Sequence, residues 1–337
     1  MASMPDRDER QPRRALVTGA TGYIGSRLVP RLLEEGWTVR VLTRNRAKIE
    51  QRRWVDEVEV VEGDATAKIT LAEALADVDV AYYLLHSMDG QPGFADRDRD
   101  MARTFGVAAF EAGVGRIVYL SGLHPEGHLS DHLASRVEVG DLLMASGVPT
   151  AVLQAAVILG SGSASFEMLR HLTHRLPVMV APKWLNNRIQ PIAVRDVLYY
   201  LVAVAELPPE VNRTFDIGGP DVLTYRDMIQ RYARLTGHGG RAIYTVPVLT
   251  PWLASHWVGL VTPVPAGIAK PLVQSLVHEV VCHEHDLDEL VGAPTGGALG
   301  FDDAVRASID AEHGPRPEPG TVDPARITAA DPKWAGD

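Results

Sequence analysis

The sequence has few cysteines and few basic residues, and each of these scarcities excludes a class of structure or partner. It contains one cysteine, Cys282, in 337 residues, which excludes an internal disulfide and fits a reducing, cytoplasmic compartment. Basic residues are outnumbered, since 33 lysines and arginines face 43 aspartates and glutamates and give a formal net charge of −10. A chain without a basic surplus has no general attraction for phosphate backbones, so nucleic acid is not an expected partner.

A second shortage is local, because Ala242 to Ala269 contains no Asp, Glu, Lys or Arg. Pro247, Pro251, Pro263 and Pro265 interrupt this charge-free stretch, so we do not expect a transmembrane helix. The stretch could form an apolar cap over a substrate, a dimer surface or a peripheral membrane contact. The sequence does not choose between these three, and it leaves a monomer and a homodimer both open.

What is present begins near the N-terminus, where an apolar strand pattern leads into a glycine loop. Gly19 would allow the tight turn off the strand, Gly22 the approach of a pyrophosphate, and Gly25 the close packing of the following helix. The start of that helix would offer free N–H groups and a positive dipole end to phosphates. The loop residues expected to bind a dinucleotide are Gly19, Ala20, Thr21, Gly22, Tyr23, Ile24 and Gly25.

Strand and helix patterns alternate through the first half of the chain. This alternation predicts an α/β fold, a doubly wound parallel (Rossmann) sheet, with a smaller C-terminal α/β cap region. The predicted strands after the first are 38–43, 58–62, 78–85, 116–120 and 150–154. The expected divisions are a disordered tail at 1–13, the dinucleotide-binding domain at 14–160, a cap region interleaved with its core at 161–310, and a disordered tail at 311–337.

The end of the second predicted strand indicates which dinucleotide binds. NAD-binding folds usually place Asp or Glu there, about 20 residues after the glycines, to bind the ribose 2′-hydroxyl. In this sequence the strand is followed by Arg44, Asn45 and Arg46, with no acid. A guanidinium can hold a 2′-phosphate through two parallel hydrogen bonds, whereas a carboxylate would repel it. We therefore predict NADP(H) in preference to NAD(H), with Arg44 as the main determinant.

Several motifs occur in the order typical of one known family. They are TGATGYIG (18–25), the Gly63-Asp64 pair, AYYLLHSM (81–88), RIVYLSGL (116–123) and QPIAVRDV (190–197). From residue 14 to about residue 290 the chain resembles an extended-type, atypical short-chain dehydrogenase/reductase of the NmrA-like NAD(P)-binding group. The resemblance implies that Asp64 and Ala65 lie by the adenine, that Leu84, Leu85 and His86 line the cofactor, and that Ala155 and Ile158 lie near the nicotinamide.

The sequence departs from this family at the catalytic pair. Active members use a serine with Tyr-x-x-x-Lys, but no tyrosine of this chain has a lysine four residues later. Ser121 matches the family's serine, and His132 and Arg136 stand where the tyrosine and the lysine would be expected. A histidine with a pKa of about 6.5 could exchange the proton, and Arg136 would hold the ribose and lower the pKa of His132.

These residues support two hypotheses of different classes. In the first, the protein is an NADPH-dependent oxidoreductase of a small apolar carbonyl or quinone-like compound, with Ser121, His132 and Arg136 as catalytic residues. In the second, it binds NADP(H) without catalysis, as a redox sensor or an accessory protein, a role that the NmrA-like resemblance also implies. His124 and His128 follow Ser121, and we expect them in a solvated loop near the ligand crevice.

A group of potential metal ligands occurs at His278–Asp286, which reads HEVVCHEHD. Cys282 takes the place of the second histidine of a His-Glu-x-x-His motif. On a helix His278 and Cys282 would share a face, and on a strand His283 and His285 would do so. Because no second pair of ligands matches them, we predict no metal site.

Overall fold

The computed structural model describes residues 13–86, 93–125, 127, 129–246, 261–313, 324–326, 328 and 331–332. The strands in these ranges are β1 (Arg14–Thr18), β2 (Thr38–Thr43), β3 (Glu59–Glu62), β4 (Val80–Tyr83), β5 (Arg116–Gly122), β6 (Thr150–Ala155), β7 (Ile158–Leu159), β8 (Val178–Pro182), β9 (Arg188–Ile189), β10 (Ile192–Ala193), β11 (Arg213–Ile217), β12 (Leu223–Thr224) and β13 (Ala242–Val246). The helices are α1 (Gly25–Glu34), α2 (Lys68–Leu75), α3 (Phe94–Glu111), α4 (Asp131–Met144), α5 (Ala164–Arg175), α6 (Val194–Ala203), α7 (Tyr225–Leu235), α8 (Ala266–Ser275), α9 (Leu287–Val291) and α10 (Phe301–His313).

Seven strands form one parallel sheet in the order β11-β6-β5-β4-β1-β2-β3. Successive residues of a strand face opposite sides, and β1 shows this directly. Val17 belongs to the core formed with Leu28 of α1 and Leu198 of α6. Its neighbour Leu16 belongs to the core on the other side, formed with Phe105 of α3 and Leu143 of α4. The predicted doubly wound parallel sheet is therefore confirmed, with the switch in strand order beside β1.

Local signals place the helix ends close to where the sequence predicts them. Ser130 caps α4 by accepting a hydrogen bond from the Leu133 N–H at 3.3 Å. Thr224 caps α7 in a reciprocal capping box with Asp227. Strand β4 is shorter than the predicted 78–85, because Val78 still belongs to the turn after α2, where its N–H bonds the Leu75 carbonyl.

A second apolar core lies in the C-terminal half and is built on α5, α7, α8 and α10. Phe166 and Met168 of α5 pack there against Tyr232 of α7, and β8 pairs in parallel with β13 beside them. The charge-free stretch begins in β13, where Tyr244 is exposed, and its last residues begin α8. Its middle, residues 247–260, lies outside the described residues, and so do Ser87, Met88 and His128.

The described residues that follow α10 contact the start of the chain. Ser161 N–H donates to the Ala325 carbonyl at 3.1 Å, and the Arg27 guanidinium donates to the carbonyls of Pro324 and Arg326. The composition of 311–337 predicts disorder, but these particular residues have defined contacts with α1 and with the loop after β7. The composition of a segment does not predict hydrogen bonds to a residue almost 300 positions earlier, such as those that Arg27 donates here.

His278–Asp286 forms neither the helix nor the strand that the sequence left open. Within it only Val280 makes a bridge, to Ile189, and the rest is irregular. Burial raises the pKa of the Cys282 thiol to about 12, so this thiol stays protonated. Among the described residues, no three His, Cys, Asp or Glu side chains are arranged to hold a metal ion. In the same part of the chain, no helix is both long and apolar enough to cross a membrane.

Candidate functional site

The glycine loop connects β1 to α1 and has no room for side chains at two positions. Gly19 has a φ of +70°, and a Cβ there would lie 2.6 Å from the Leu84 carbonyl oxygen. A Cβ on Gly25 would lie 2.3 Å from the Gly19 carbonyl oxygen. Gly25 therefore packs against the loop itself, and not against the sheet as its motif position suggests. Gly22 is exposed, and a Cβ there would meet only the Gly19 carbonyl oxygen, at 3.3 Å. The solvent side of Gly22 is therefore open to a ligand.

The N-terminus of α1 is arranged to receive an anion. The N–H groups of Ile24 and Gly25 have no hydrogen-bond acceptor among the described residues, as expected at a helix start. Thr21 is exposed beside them, and Ala20 is buried. The Tyr23 side chain points away, because its ring lies 3.9 Å from the Arg27 guanidinium carbon. Tyr23 can therefore offer a ligand its backbone only.

The ends of β2 and β3 provide the predicted adenine side of the site. Arg44 is exposed and has no ion-pair partner in the described part of the chain. The Asp64 carboxylate accepts hydrogen bonds from the Thr66 N–H and hydroxyl, both at 2.8 Å, and these bonds lower the pKa of Asp64. The positive charge of Arg44 lowers that pKa further, so the two side chains are neighbours. Ala65 next to them is buried.

The segment after β4 crosses the glycine loop and reaches α4. The Leu84 N–H donates to the Thr18 hydroxyl at 3.1 Å, which holds the segment on β1. Leu85 is half-buried, and the His86 side chain is exposed to solvent. The positive charge of Arg136 is close enough to lower the pKa of His86. The segment therefore connects the glycine loop with the predicted catalytic residues.

Ser121 and Arg136 line one cavity of about 270 Å³ between α4 and the β6–β11 edge of the sheet. Ser121 is 2% exposed, and its hydroxyl makes no hydrogen bond within the described residues. The Tyr119 hydroxyl is a close polar neighbour that bonds the Arg136 carbonyl at 3.5 Å. We call this space the Arg136 cavity, and its lining residues are Ser121, His124, Arg136, Val137, Gly140, Asp141, Met144, Val152, Gln154 and Thr214.

His132 lies one helical turn before Arg136 but is not part of the cavity wall. Its half-buried ring has Phe94 at a centroid distance of 6.3 Å. Burial lowers the pKa of His132 to about 4, and the positive charge of Arg136 adds to this effect. The imidazole is therefore neutral at pH 7, so the expected exchange of a proton near pH 6.5 does not fit this environment.

The two residues expected near the nicotinamide have different surroundings. Ala155 ends β6 beside Gly122 of β5, and its carbonyl accepts the Leu123 N–H at 2.9 Å. Ile158 is half-buried in β7, and its carbonyl accepts the Ser163 hydroxyl at 2.7 Å. Ala155 therefore lies next to the end of the Ser121 strand, whereas Ile158 belongs to the connection into the cap region.

Several residues of the site carry no sequence signal of their own. Gln154 and Thr214 reach the Arg136 cavity from β6 and β11, two strands that are far apart in the chain. Arg52 is 8% exposed and donates to the Thr21 carbonyl at 3.4 Å, so it supports the glycine loop from the segment after β2. An alternating strand pattern predicts that a side chain faces the protein interior, but it does not predict which residues that side chain contacts.

A family model described as NAD(P)H-binding matches residues 19–158. Residues 19–158 form an NAD(P)H-binding domain. The match contains the glycine loop, Arg44, Ser121 and Arg136. Over these residues the predicted dinucleotide-binding domain is confirmed.

Two of the curated relatives of the chain are reductases. Ceramide reductase of Caulobacter vibrioides is 31% identical over 195 residues, which are 57% of this chain and 61% of that protein. A (4-alkanoyl-5-oxo-2,5-dihydrofuran-3-yl)methyl phosphate reductase of Streptomyces griseus is 28% identical over 230 residues, 66% of this chain and 73% of the relative. The chain thus spans less than two thirds of the length of the ceramide reductase.

Among solved structures, an NADPH-dependent quinone oxidoreductase of Escherichia coli, complexed with NADPH, has the same fold. The TM-score is 0.68 at 18% identity, and the match covers 87% of this chain and 98% of that chain. At this identity the likeness shows the fold alone.

Proposed function

We propose that the protein is an NADPH-dependent reductase of an apolar carbonyl or quinone-like compound. The observation that carries the proposal is the place of Ser121, which is buried in the wall of the Arg136 cavity near the carboxyl end of β5. Ligands of doubly wound sheets bind outside the carboxyl ends of the strands, so Ser121 would lie beside the crevice where cofactor and substrate meet.

The residues of the glycine loop fit a dinucleotide, because Gly19 and Gly25 leave no room for side chains and the α1 amides lack acceptors. NADPH held by these residues would supply the hydride for reduction of the carbonyl carbon. The Ser121 hydroxyl would donate a hydrogen bond to the carbonyl oxygen, on which negative charge develops. The oxygen would then take a proton that comes from solvent by way of Ser121, so that one hydride and one proton are added.

His132 has a different role from the proton donor suggested by its sequence position. With a pKa of about 4 it holds no extra proton at pH 7. A neutral imidazole still donates a hydrogen bond through its one N–H, as in other enzymes that keep a histidine neutral. We therefore assign His132 to orienting a ligand group between α4 and His86, and the proton to Ser121.

An apolar substrate is supported by two observations of different kinds. The charge-free stretch flanks the second core, where α5, α7 and α8 surround a small apolar cavity of about 40 Å³. By their names, one relative acts on ceramide, and the quinone oxidoreductase of the same fold acts on quinones. Both substrates are carbonyl-type or lipid-like compounds with large apolar parts.

The alternative is a non-catalytic NADP(H) sensor or accessory protein. The observation that favours it is the absence of Tyr-x-x-x-Lys together with a neutral His132 outside the cavity wall. A protein of this kind would bind NADPH and release it unchanged.

Oxidation of NADPH in the presence of a panel of quinones, aldehydes and ketones tests the reductase proposal. We expect turnover that falls about 100-fold in Ser121→Ala, by loss of one donor to the developing charge, while NADPH affinity stays the same. Ser275→Ala, at the end of α8, serves as the matched control. NADPH binding by calorimetry with no turnover of any compound would refute the reductase and favour the sensor.

A further inference from the structure

On the basis of the reductase function above, we propose that the Arg136 cavity binds an oxyanion, a carboxylate or a phosphate, carried by the substrate. The substrate would then have an anionic group besides its apolar part and its reducible carbonyl.

The cavity is lined by several side chains that can donate hydrogen bonds. Ser121 and Gln154 are 2% and 5% exposed, and Arg136 and Thr214 face the same space. Within the described residues, the side chains of Gln154, Arg136 and Thr214 make no hydrogen bond or ion pair, and Ser121 has the Tyr119 hydroxyl as its close polar neighbour. A guanidinium can only donate, while hydroxyl and amide groups can donate as well as accept. Such a set of groups matches the several lone pairs of an oxyanion.

Other interior arginines of the described structure have their partners supplied by the fold. Arg27 pairs with Asp331 at 2.9 Å, and Arg170 lies 3.6 Å from the Glu167 carboxylate. Arg116 donates to three backbone carbonyls. Arg136 differs, because no carboxylate or carbonyl of the described residues bonds its guanidinium. A guanidinium next to a cavity is satisfied best by a carboxylate or phosphate, which can accept two parallel bonds.

The one acid of the cavity wall indicates where the anion would lie. Asp141 follows Arg136 by five residues on α4 and is exposed, whereas Ser121 and Gln154 are buried. Its carboxylate does not reach within 4.0 Å of the Arg136 guanidinium. The negative charge of Asp141 disfavours an anion next to it, so the anion belongs at the Arg136 end of the cavity.

The phosphates of the cofactor are too far away to be this anion. The glycine loop follows β1 and Arg44 follows β2, whereas the cavity lies along β5, β6 and β11. With strands ~4.8 Å apart, β6 is ~14 Å from β1 and ~19 Å from β2. The cavity also lies on the α4 face of the sheet, and α1 lies on the opposite face. An anion at Arg136 would consequently come from a second ligand.

Binding of benzoate and of inorganic phosphate, measured by calorimetry with and without NADPH, tests the site without any need for turnover. We expect saturable binding that weakens about tenfold in Arg136→Met, is partly kept in Arg136→Lys, and is weakened a few-fold in Thr214→Val. Arg103→Met, which removes an exposed arginine of α3, is the matched control. Thermal melting of each variant verifies that it folds.

A matched pair of aldehydes connects the site to the substrate. We expect 4-formylbenzoate to be reduced with a kcat/KM about tenfold above that of its methyl ester, and Arg136→Met to abolish this preference. Benzoate binding that depends on Arg136, with neither these aldehydes nor any compound of the panel reduced, would refute the reductase function and support the oxyanion site.

Three results would overturn the proposal. One is equal benzoate binding by the wild type and Arg136→Met. The second is an unchanged benzoate affinity with a loss of NADPH affinity, which would assign Arg136 to the cofactor ribose. The third is phosphate binding without any preference for the charged aldehyde, which would identify a free anion and not a substrate group.

Discussion

Arg27 in the first turn of α1 and Asp331 near the C-terminus form a bidentate ion pair inside the protein. Both guanidinium nitrogens lie 2.9 Å from a carboxylate oxygen, and the two side chains are 5% and 1% exposed. Arg27 also stacks on Tyr23 of the glycine loop at 3.9 Å. The last described residues of the chain therefore hold the element that would bind the cofactor.

Removing one partner of this buried pair leaves an uncompensated charge. We expect Asp331→Ala to lower the free energy of unfolding by ~3–5 kcal/mol and to weaken NADPH binding, because Arg27 loses its hold on α1. Urea unfolding and calorimetry measure the two effects. Asp303→Ala breaks the exposed pair with Arg306 and should cost less than ~1 kcal/mol. Equal losses in both variants would contradict the structural role of Asp331.

Arg44 is free to bind a 2′-phosphate, and reversing its charge should change the choice of cofactor. We expect Arg44→Asp to raise the Kd of NADPH about 100-fold, from two lost charge-assisted bonds and an added repulsion. The Kd of NADH should change by less than about threefold, since it has no 2′-phosphate. Fluorescence titration of both cofactors measures this, with Arg103→Asp as the control for net charge. An equal effect on the two cofactors would remove Arg44 as the determinant.

A methyl group on Gly25 would collide with the backbone that forms the phosphate loop. Since a Cβ there lies 2.3 Å from the Gly19 oxygen, we expect Gly25→Ala to displace the loop. The cost should be ~1–3 kcal/mol of stability, as for other overpacked sites, together with loss of NADPH binding. Gly240→Ala meets only the flexible end of Gln230, at 3.9 Å, and should change neither quantity. Retained NADPH affinity in Gly25→Ala would show that the loop adapts.

The depressed pKa of His132 makes stability depend on pH. Between about pH 6.5 and pH 4 the unfolded chain takes up a proton at His132 that the folded chain does not. The free energy of unfolding should therefore fall as the pH drops through this window, and less so in His132→Gln. The exposed His285→Gln is the control, and His86, whose pKa is also lowered, adds to the same slope.

The same environment gives a second measurement on His132. In Arg136→Met one cause of the low pKa disappears, so the pKa of His132 by NMR titration should rise above about 4 but stay below 6.5, because burial remains. An unchanged pKa would mean that Arg136 and His132 do not interact.

Most strands and helices of the sheet domain could be predicted from local sequence patterns, as β2 and α4 illustrate. TVRVLT is β-favouring and its predicted ends match those observed for β2. Ser130 caps α4 by a contact three residues away. Strand alternation and helix caps depend on residues only a few positions apart in the chain, so the sequence alone predicts short elements of this kind.

The parts of the candidate site that could be predicted are those whose geometry follows from residue spacing within one short motif. The glycine loop is such a case, since the tight positions Gly19 and Gly25 follow from their spacing. The role of His132 was not, because its pKa depends on how deeply α4 buries it and on a guanidinium one turn away. Gln154 and Thr214 were not predicted either, because they meet only when β6 and β11 pair.

The sequence by itself determined the alternation of strands and helices, the dinucleotide loop and the lack of an acid after β2, since each is set within a few neighbouring residues. Only the tertiary structure decided that Ser121 and Arg136 share a cavity while His132 stands outside it, and that Asp331 closes on Arg27. How deeply a side chain is buried, and which charges lie near it, depend on elements that are far apart in the chain. These properties are therefore set only when the fold brings those elements together.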